Sequence, residues 1–126
     1  MPENFDQPLP NACPPDSATR RQQPAYRIVR SNPPSMADFK THAELGLALS
    51  ADECRRASLS IFATYRQAAH RKSLTPTLGS HIAHATLTPE HGLISPQNST
   101  GHMDWWAFSG MVNPNEFSVV TDENRP

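Results

Sequence analysis

Three observations predict a small α+β domain with a mostly antiparallel sheet and two or three short helices. Short β-branched and aromatic segments recur along the chain between turn residues, which is typical of antiparallel strands. Serine or threonine is repeatedly followed three residues later by an acidic or amide residue, a signal for helix starts. The chain has 126 residues, of which 37% are hydrophobic, so we expect one domain with one core.

The distribution of proline predicts the domain boundaries. Six of the 13 prolines lie in the first 24 residues, a segment with few apolar side chains. Such a segment cannot bury enough surface to offset the entropy lost on ordering. We therefore expect residues 1–24 to form a flexible proline-rich arm, residues 25–121 a single α+β domain, and residues 122–126 a tail.

The first part of the domain predicts one strand and two short helices. Residues 25–30 form the strand, which ends at an Asn-Pro-Pro turn because proline has no N–H for the ladder. Ser35 is a suitable N-cap with Asp38 three residues on, and Gly46 is a natural helix stop. The same capping signal at Ser50 begins a second helix.

Residues 51–72 permit two interpretations. The apolar spacing fits one continuous helix. Alternatively, residues 59–63 form a short strand, and Thr64 caps a helix that runs over residues 65–72. Serine and threonine in the middle of this window are poor helix-interior residues, which favours the strand followed by a helix.

The second part of the domain predicts three strands. Residues 80–88 form a strand closed by proline, and residues 90–101 form a polar loop rich in turn formers. A strongly aromatic strand covers residues 104–109. A turn at residues 113–116, with proline in its second position, then leads to the last strand at residues 117–121.

Composition and charge exclude several classes of protein. A net charge of -1 argues against general nucleic-acid binding, whose affinity comes from neutralising phosphates. No segment approaches the ~20 apolar residues that span a bilayer, and the chain does not begin like a secretory signal. We therefore expect a cytoplasmic protein that binds neither nucleic acid nor membrane. Residues 1–80 carry +3 and residues 81–126 carry -4, so the basic half faces either an anionic ligand or solvent.

Cysteine and histidine give no strong signal for a reactive or metal site. Two cysteines are too few for a disulfide framework or a closed zinc site. We expect Cys13 to be incidental and Cys54 to pack as a small hydrophobic residue, with a nucleophilic role as the alternative. His81 and His84 would share one face of a helix but lie on opposite faces of the predicted strand. No metal is therefore expected.

Arginine is the candidate for contact with an anion. The chain has five glycines and no glycine-rich loop, so a phosphate cradle built from backbone N–H groups is not expected. Arg27 and Arg30 lie on the first predicted strand, and guanidinium groups suit phosphate. The alternative is that both arginines are solvent-exposed on an edge strand, where charge discourages aggregation.

Two adjacent tryptophans indicate a second buried surface. Trp105 and Trp106 face opposite sides of the predicted strand, so one packs in the core. The other must lie in a pocket or at an interface, where tryptophan is common. Glu116 lies at the junction between a turn and the last strand, where a surface glutamate is the ordinary interpretation.

Three segments together resemble the motif order of small ADP-ribosyltransferase-like domains. They are Tyr26-Arg27, the segment 60–64 that leads into an alanine-rich helix, and the segment 115–120. The resemblance implies that NAD is bound and cleaved. The opening of the domain at residues 26–34 is also similar to that of short bacterial proteins that begin Tyr-Arg-x-x-Arg-x-Asn-Pro-Pro.

The resemblance also implies roles for individual residues. Arg27 would hold the pyrophosphate, with Arg30 beside it, and a hydroxyl of Ser60 or Thr64 would orient the nicotinamide amide. Glu116 would stabilise the oxocarbenium-like transition state, as a carboxylate does in glycoside cleavage. The stacking partners for the nicotinamide ring would be aromatic, and the candidates are Phe62 and Trp106, with Trp105 as a further choice.

Two function hypotheses follow. The first is a bacterial NAD-dependent ADP-ribosyltransferase-like enzyme with Arg27, Thr64 and Glu116 as catalytic residues. The alternative is a non-catalytic module that binds a protein partner through the Trp105/Trp106 surface and the proline-rich arm. The first hypothesis requires Arg27 and Glu116 to meet in one cleft.

Overall fold

A computed structural model describes residues 4–121 and places their strands in one antiparallel sheet. The strands are β1 (Gln23–Val29), β2 (Leu59–Phe62), β3 (His81–Leu87), β4 (Gly92–Ile94), β5 (His102–Ala107) and β6 (Ser118–Val120). The helices are α1 (His42–Leu45), α2 (Glu53–Arg56) and α3 (Tyr65–Leu74). The six strands lie in the order β4-β5-β2-β1-β3-β6. The predicted α+β class, with an antiparallel sheet and short helices, is confirmed.

The predicted helix between Ser35 and Gly46 is divided in two. A 3-10 helix covers Met36–Phe39, and α1 begins only after Thr41, whose side chain accepts a hydrogen bond from the backbone of Glu44. A second cap inside the segment starts a new helix and prevents one continuous helix. Gly46 ends α1 in the left-handed conformation, at φ +68°.

The segment 51–72 folds as a helix, a strand and a second helix. Thr64 caps α3, because its hydroxyl accepts from the backbone N–H of Gln67 at 3.2 Å. The Gln67 side chain in turn accepts from the backbone N–H of Thr64 at 3.1 Å. This reciprocal cap fixes the start of α3. The strand that precedes it is β2, so the favoured interpretation is confirmed.

Strand β4 lies inside the region predicted as a polar loop. It has three residues, and Leu93 pairs with Trp106 of β5. A strand this short shows too little alternation to be recognised among turn formers. The 3-10 helix Pro89–His91 precedes it directly.

The sheet buries apolar side chains on both faces. The larger cluster includes buried residues of β2, β3 and β5 together with Phe39 and Phe117. On the other face Ala68 of α3 packs against Tyr26, Phe62 and Ile82. The sheet is therefore covered on one face by α3 and on the other by loop segments.

The N-terminal segment contacts the edge of the sheet in several places. The backbone of Asp6 donates to the carbonyl of Ala107 at 2.9 Å, and Thr19 and Ile94 exchange two backbone hydrogen bonds of 2.9 Å each. The ring of Phe5 packs on Phe108. The arm expected over residues 1–24 thus has defined contacts from residue 4 onward. Residues 1–3 and the predicted tail at 122–126 lie outside the described residues.

A disulfide joins the N-terminal segment to α2. Cys13 and Cys54 are bonded, with their Cα atoms 5.5 Å apart and a sequence separation of 41. The expectations of an incidental Cys13 and a free, packed Cys54 are therefore wrong. The pairing depends on how the segment lies across the domain, which the spacing of two cysteines does not reveal.

Candidate functional site

The candidate site lies where β1 and β2 separate. These neighbours pair antiparallel at Tyr26 and Phe62, and no further register pair continues the ladder. Arg27 spans the gap, because its Nη1 donates to the carbonyl oxygen of Ser60 at 2.8 Å. Its Nε donates to the carbonyl oxygen of Asp38 at 3.0 Å. A charged side chain thus replaces backbone pairing at the centre of the sheet.

A pocket of about 410 Å³ opens at this gap, and cationic side chains dominate its charge. Strands β1, β2 and β5 contribute to it, together with all three helices and the loops that flank them. Its arginines and its lysine are Arg27, Arg30, Lys40, Arg55 and Arg71. Among the described residues that line the pocket, Asp38 is the single carboxylate. We call this the arginine pocket.

Three of these cations form no direct ion pair with a carboxylate in the described part of the chain, although the charge of Asp38 acts on Arg27. The other two cations are paired. Lys40 Nζ lies 3.7 Å from Glu44 Oε2, and Arg55 Nε lies 3.4 Å from Asp104 Oδ2 on β5. Within residues 4–121, Arg27, Arg30 and Arg71 form no ion pair with a carboxylate. The electrostatic potential of the pocket is therefore expected to be positive and to attract anions.

Asp38 uses its carboxylate to hold the loop after β1. Its oxygens accept from the backbone N–H of Arg30 at 2.8 Å and from that of Ser35 at 3.0 Å. The Ser31 hydroxyl also donates to it. Burial opposes ionisation, but the hydrogen bonds outweigh it and lower the pKa of Asp38. The carboxylate therefore shapes the pocket wall and stays ionised at neutral pH.

Arg27 remains cationic despite its position in the sheet. Burial lowers the pKa of Arg27 to about 10, and the charge of Asp38 opposes that shift. Its guanidinium also lies over the ring of Phe39, 5.4 Å from the centroid. Two carbonyl acceptors and an aromatic face thus fix the orientation of this group before any ligand arrives.

A row of polar side chains follows β2 and β5 along the pocket wall. His102 Nε2 lies 3.0 Å from the Ser60 hydroxyl and 3.9 Å from Asp104 Oδ1. The Ser58 hydroxyl donates to the same Asp104 oxygen at 3.1 Å. Burial lowers the pKa of His102, and the charge of Asp104 opposes this shift. The positive charges of Arg55 and Arg71 lower the pKa further. His102 is therefore neutral at pH 7.

The structure brings four of the predicted site residues together. Arg27, Arg30, Ser60 and Phe62 all line the arginine pocket. The other three, which are Thr64, Trp106 and Glu116, are not among its lining residues. Thr64 instead caps α3, which uses its hydroxyl and its backbone N–H.

Glu116 lies at a different place. It ends the 3-10 helix Pro114–Glu116, and its Oε1 is 3.0 Å from His91 Nε2. The backbone carbonyl of His91 accepts from the indole of Trp105 at 3.0 Å. Glu116 thus belongs to a hydrogen-bonded group that includes His91 and Trp105, and it is not among the described residues that line the pocket with Arg27.

Both tryptophans are buried. The indole of Trp106 donates to the carbonyl of Cys54 at 2.9 Å, next to the disulfide. Phe5 and Leu9 of the N-terminal segment lie near both tryptophans, and the cavity left there is only about 10 Å³. A cavity this small holds at most one water. The Trp105/Trp106 surface is therefore covered by the chain itself.

Sequence reasoning did not identify several lining residues of the pocket. Lys40, Arg55, Arg71 and His102 come from four separate segments. For Lys40, Arg55 and Arg71, the excess of positive charge in residues 1–80 was the available indication of an anion site. No pattern indicated His102.

Within residues 4–121 no group of three or more His, Cys, Asp and Glu side chains could hold a metal ion. No helix in this part of the chain is long and apolar enough to cross a bilayer. Comparisons with protein-family models, curated proteins and solved structures found no match to this chain.

Proposed function

We propose that this protein binds a small ligand carrying one or more phosphate groups in the arginine pocket. The observation that carries the proposal is that Arg27, Arg30 and Arg71 line one cavity and form no direct ion pair with a carboxylate of the described residues. Guanidinium groups bind phosphate oxygens with two parallel hydrogen bonds, which makes arginine the preferred residue for such sites.

The dimensions and rigidity of the pocket support a ligand of moderate size. Its volume of about 410 Å³ lies within the usual range for small-molecule sites, roughly 300–1,000 Å³. Arg27 is already oriented by Ser60 and Asp38 while its Nη2 remains for a ligand. A group oriented in advance loses less entropy when the ligand binds.

NAD is the dinucleotide to test first, because of the resemblance to ADP-ribosyltransferase-like domains. Arg27 and Arg30 would contact its pyrophosphate, and Phe62 and His102, which also line the pocket, would contact one of its rings. Our proposal is limited to binding, since Glu116 is bonded to His91 outside the pocket. Cleavage of NAD stays a prediction of the resemblance.

Calorimetric titration tests the proposal. We expect inorganic phosphate, pyrophosphate and NAD to bind the wild-type protein, with pyrophosphate binding more tightly than phosphate. Arg71→Gln should weaken pyrophosphate binding by about tenfold, the effect of one lost charge-assisted contact. Arg66→Gln is the matched control, because Arg66 is exposed on the same helix and does not line the pocket.

Two results would overturn the proposal. One is the absence of binding for all three compounds at low ionic strength, where attraction between charges is strongest. The other is an equal loss of affinity in Arg66→Gln and Arg71→Gln, which would indicate a diffuse charge effect in place of a defined site.

A further inference from the structure

Exposed leucines border the arginine pocket. Leu45 and Leu47 line it and are 54% and 51% exposed, and Leu49 is 76% exposed. Single exposed apolar residues are ordinary, but a cluster of large ones beside a cavity marks a contact surface. We call residues 45–49 the leucine segment.

The leucine segment is held at the rim of the pocket. The backbone N–H of Leu47 donates to the carbonyl of His42 at 2.9 Å, just past the left-handed turn at Gly46. The Arg56 guanidinium donates to the carbonyl of Leu47 at 3.0 Å. These bonds hold the backbone of Leu47 between α1 and α2, and Leu45 and Leu47 line the same pocket as the cations.

Other apolar side chains extend the same surface into the cavity. Ile28, Phe62 and Leu78 also line the pocket. A wholly polar anion would leave Leu45 and Leu47 in water, whereas an anion with an apolar chain would cover them. Covering apolar surface contributes roughly 25 cal/mol for each Å² removed from water.

We propose that the ligand is an anionic amphiphile, with a phosphate head on the arginines and an alkyl or acyl chain along the leucine segment. This inference rests on the proposed phosphate binding and adds the second half of the ligand. Leu45 and Leu47 line the same cavity as Arg27 and Arg55, so one molecule can contact both surfaces. That shared cavity favours a single bound amphiphile over a membrane surface.

Titration with alkyl phosphates of increasing length tests the inference. Inorganic phosphate, butyl phosphate, hexyl phosphate and octyl phosphate are compared below the concentration at which they form micelles. We expect affinity to rise about fourfold for each methylene that becomes buried, which corresponds to about 0.8 kcal/mol per CH₂. Arg71→Gln should weaken every member of the series by a similar factor.

Variants separate the apolar contribution from the charge. The double substitution Leu45→Ser and Leu47→Ser should remove most of the dependence on chain length and leave the affinity for inorganic phosphate within twofold. Leu74→Ser is the matched control, since Leu74 is 64% exposed at the end of α3 and does not line the pocket. It should keep the full dependence on chain length.

The outcomes distinguish this inference from the proposed function. Binding of phosphate and pyrophosphate without any dependence on chain length overturns the inference and leaves the proposed function intact. If the wild-type protein binds neither phosphate nor any alkyl phosphate, both the inference and the proposed function are overturned. Sedimentation of the protein with phosphatidylserine vesicles, without such dependence for the monomeric alkyl phosphates, assigns the leucines to a membrane surface and overturns the inference.

Discussion

The guanidinium of Arg27 donates a hydrogen bond of 2.8 Å to the carbonyl oxygen of Ser60, across a gap between two neighbouring strands. In a regular antiparallel pair a backbone N–H would bond that carbonyl. A side chain that serves the sheet in this way also lines the cavity that the gap creates. Structure and candidate function therefore depend on the same residue.

Arg27→Lys is expected to destabilise the domain while it keeps the charge. A lysine ammonium cannot reach both carbonyl acceptors with the planar geometry of guanidinium. Loss of one hydrogen bond from a charged donor costs about 1.5–3 kcal/mol, which urea unfolding would measure. Arg66→Lys, on the exposed surface of α3, should change the free energy of unfolding by less than about 0.5 kcal/mol. Equal stability of the two variants would contradict the role assigned to Arg27.

Reduction of the Cys13–Cys54 disulfide is expected to lower stability by about 4 kcal/mol. This estimate follows from the chain entropy of an unfolded loop closed across a separation of 41 residues. Urea unfolding with and without a thiol reductant measures the effect, and counting free thiols confirms the state. The double variant Cys13→Ser, Cys54→Ser should have the same free energy of unfolding as the reduced protein, and the reductant should not change it. A double variant as stable as the oxidised protein would contradict this estimate.

Glu116→Gln is expected to affect stability and to leave ligand binding unchanged. The substitution weakens the bond to His91, so we expect a loss of about 1 kcal/mol in the free energy of unfolding. The affinity for pyrophosphate should stay within twofold of wild type, because Glu116 is not among the lining residues of the pocket. If wild type consumes NAD and Glu116→Gln does not, Glu116 has the catalytic role that the resemblance implies.

Stability is expected to fall as the pH drops below about 6.5. Burial lowers the pKa of His84, whose Nε2 has no hydrogen-bond partner in the described residues, and also that of His102. As the pH falls, the unfolded chain takes up these protons first, near its ordinary histidine pKa of about 6.5. The two neutral histidines therefore contribute their full stabilisation above about pH 6.5. This contribution is lost as the pH falls from about 6.5 toward their lower pKa values in the folded protein.

Urea unfolding at a series of pH values checks this expectation. His84→Gln and His102→Gln should each make the curve flatter between about pH 7 and pH 5. Asp38, whose pKa is also lowered, acts in a more acidic range, below the ordinary carboxyl pKa of about 4. A double histidine variant with the wild-type slope would show that other groups control this range.

Local signals were sufficient for most of the elements. The cap at Thr64 decided the ambiguous segment, and Gly46 ended α1 as expected, because both act through neighbours within a few residues. Arg27 and Arg30 were identified because the first predicted strand carries both of them and the sequence has no glycine-rich loop that would bind an anion. Such features require no knowledge of how distant segments pack.

Long-range features could not be predicted in the same way. The disulfide depends on where the N-terminal segment crosses α2, and that crossing leaves no trace in the spacing of two cysteines. Arg71 and His102 reach the pocket from α3 and β5, elements brought together by tertiary packing. Trp105 is buried in the main core cluster, and the segment expected to be a flexible arm lies near both tryptophans.

The single pair between Tyr26 and Phe62 also has a mechanical consequence. It joins two ribbons of the sheet, β4-β5-β2 and β1-β3-β6, which the Arg27 side chain also bridges. A molecule in the pocket would contact Arg27 on one ribbon and His102 on the other, and so would restrict movement of the two ribbons relative to each other. Exchange of backbone amide hydrogens should then slow in both ribbons when the ligand binds, including strands that do not contact the ligand.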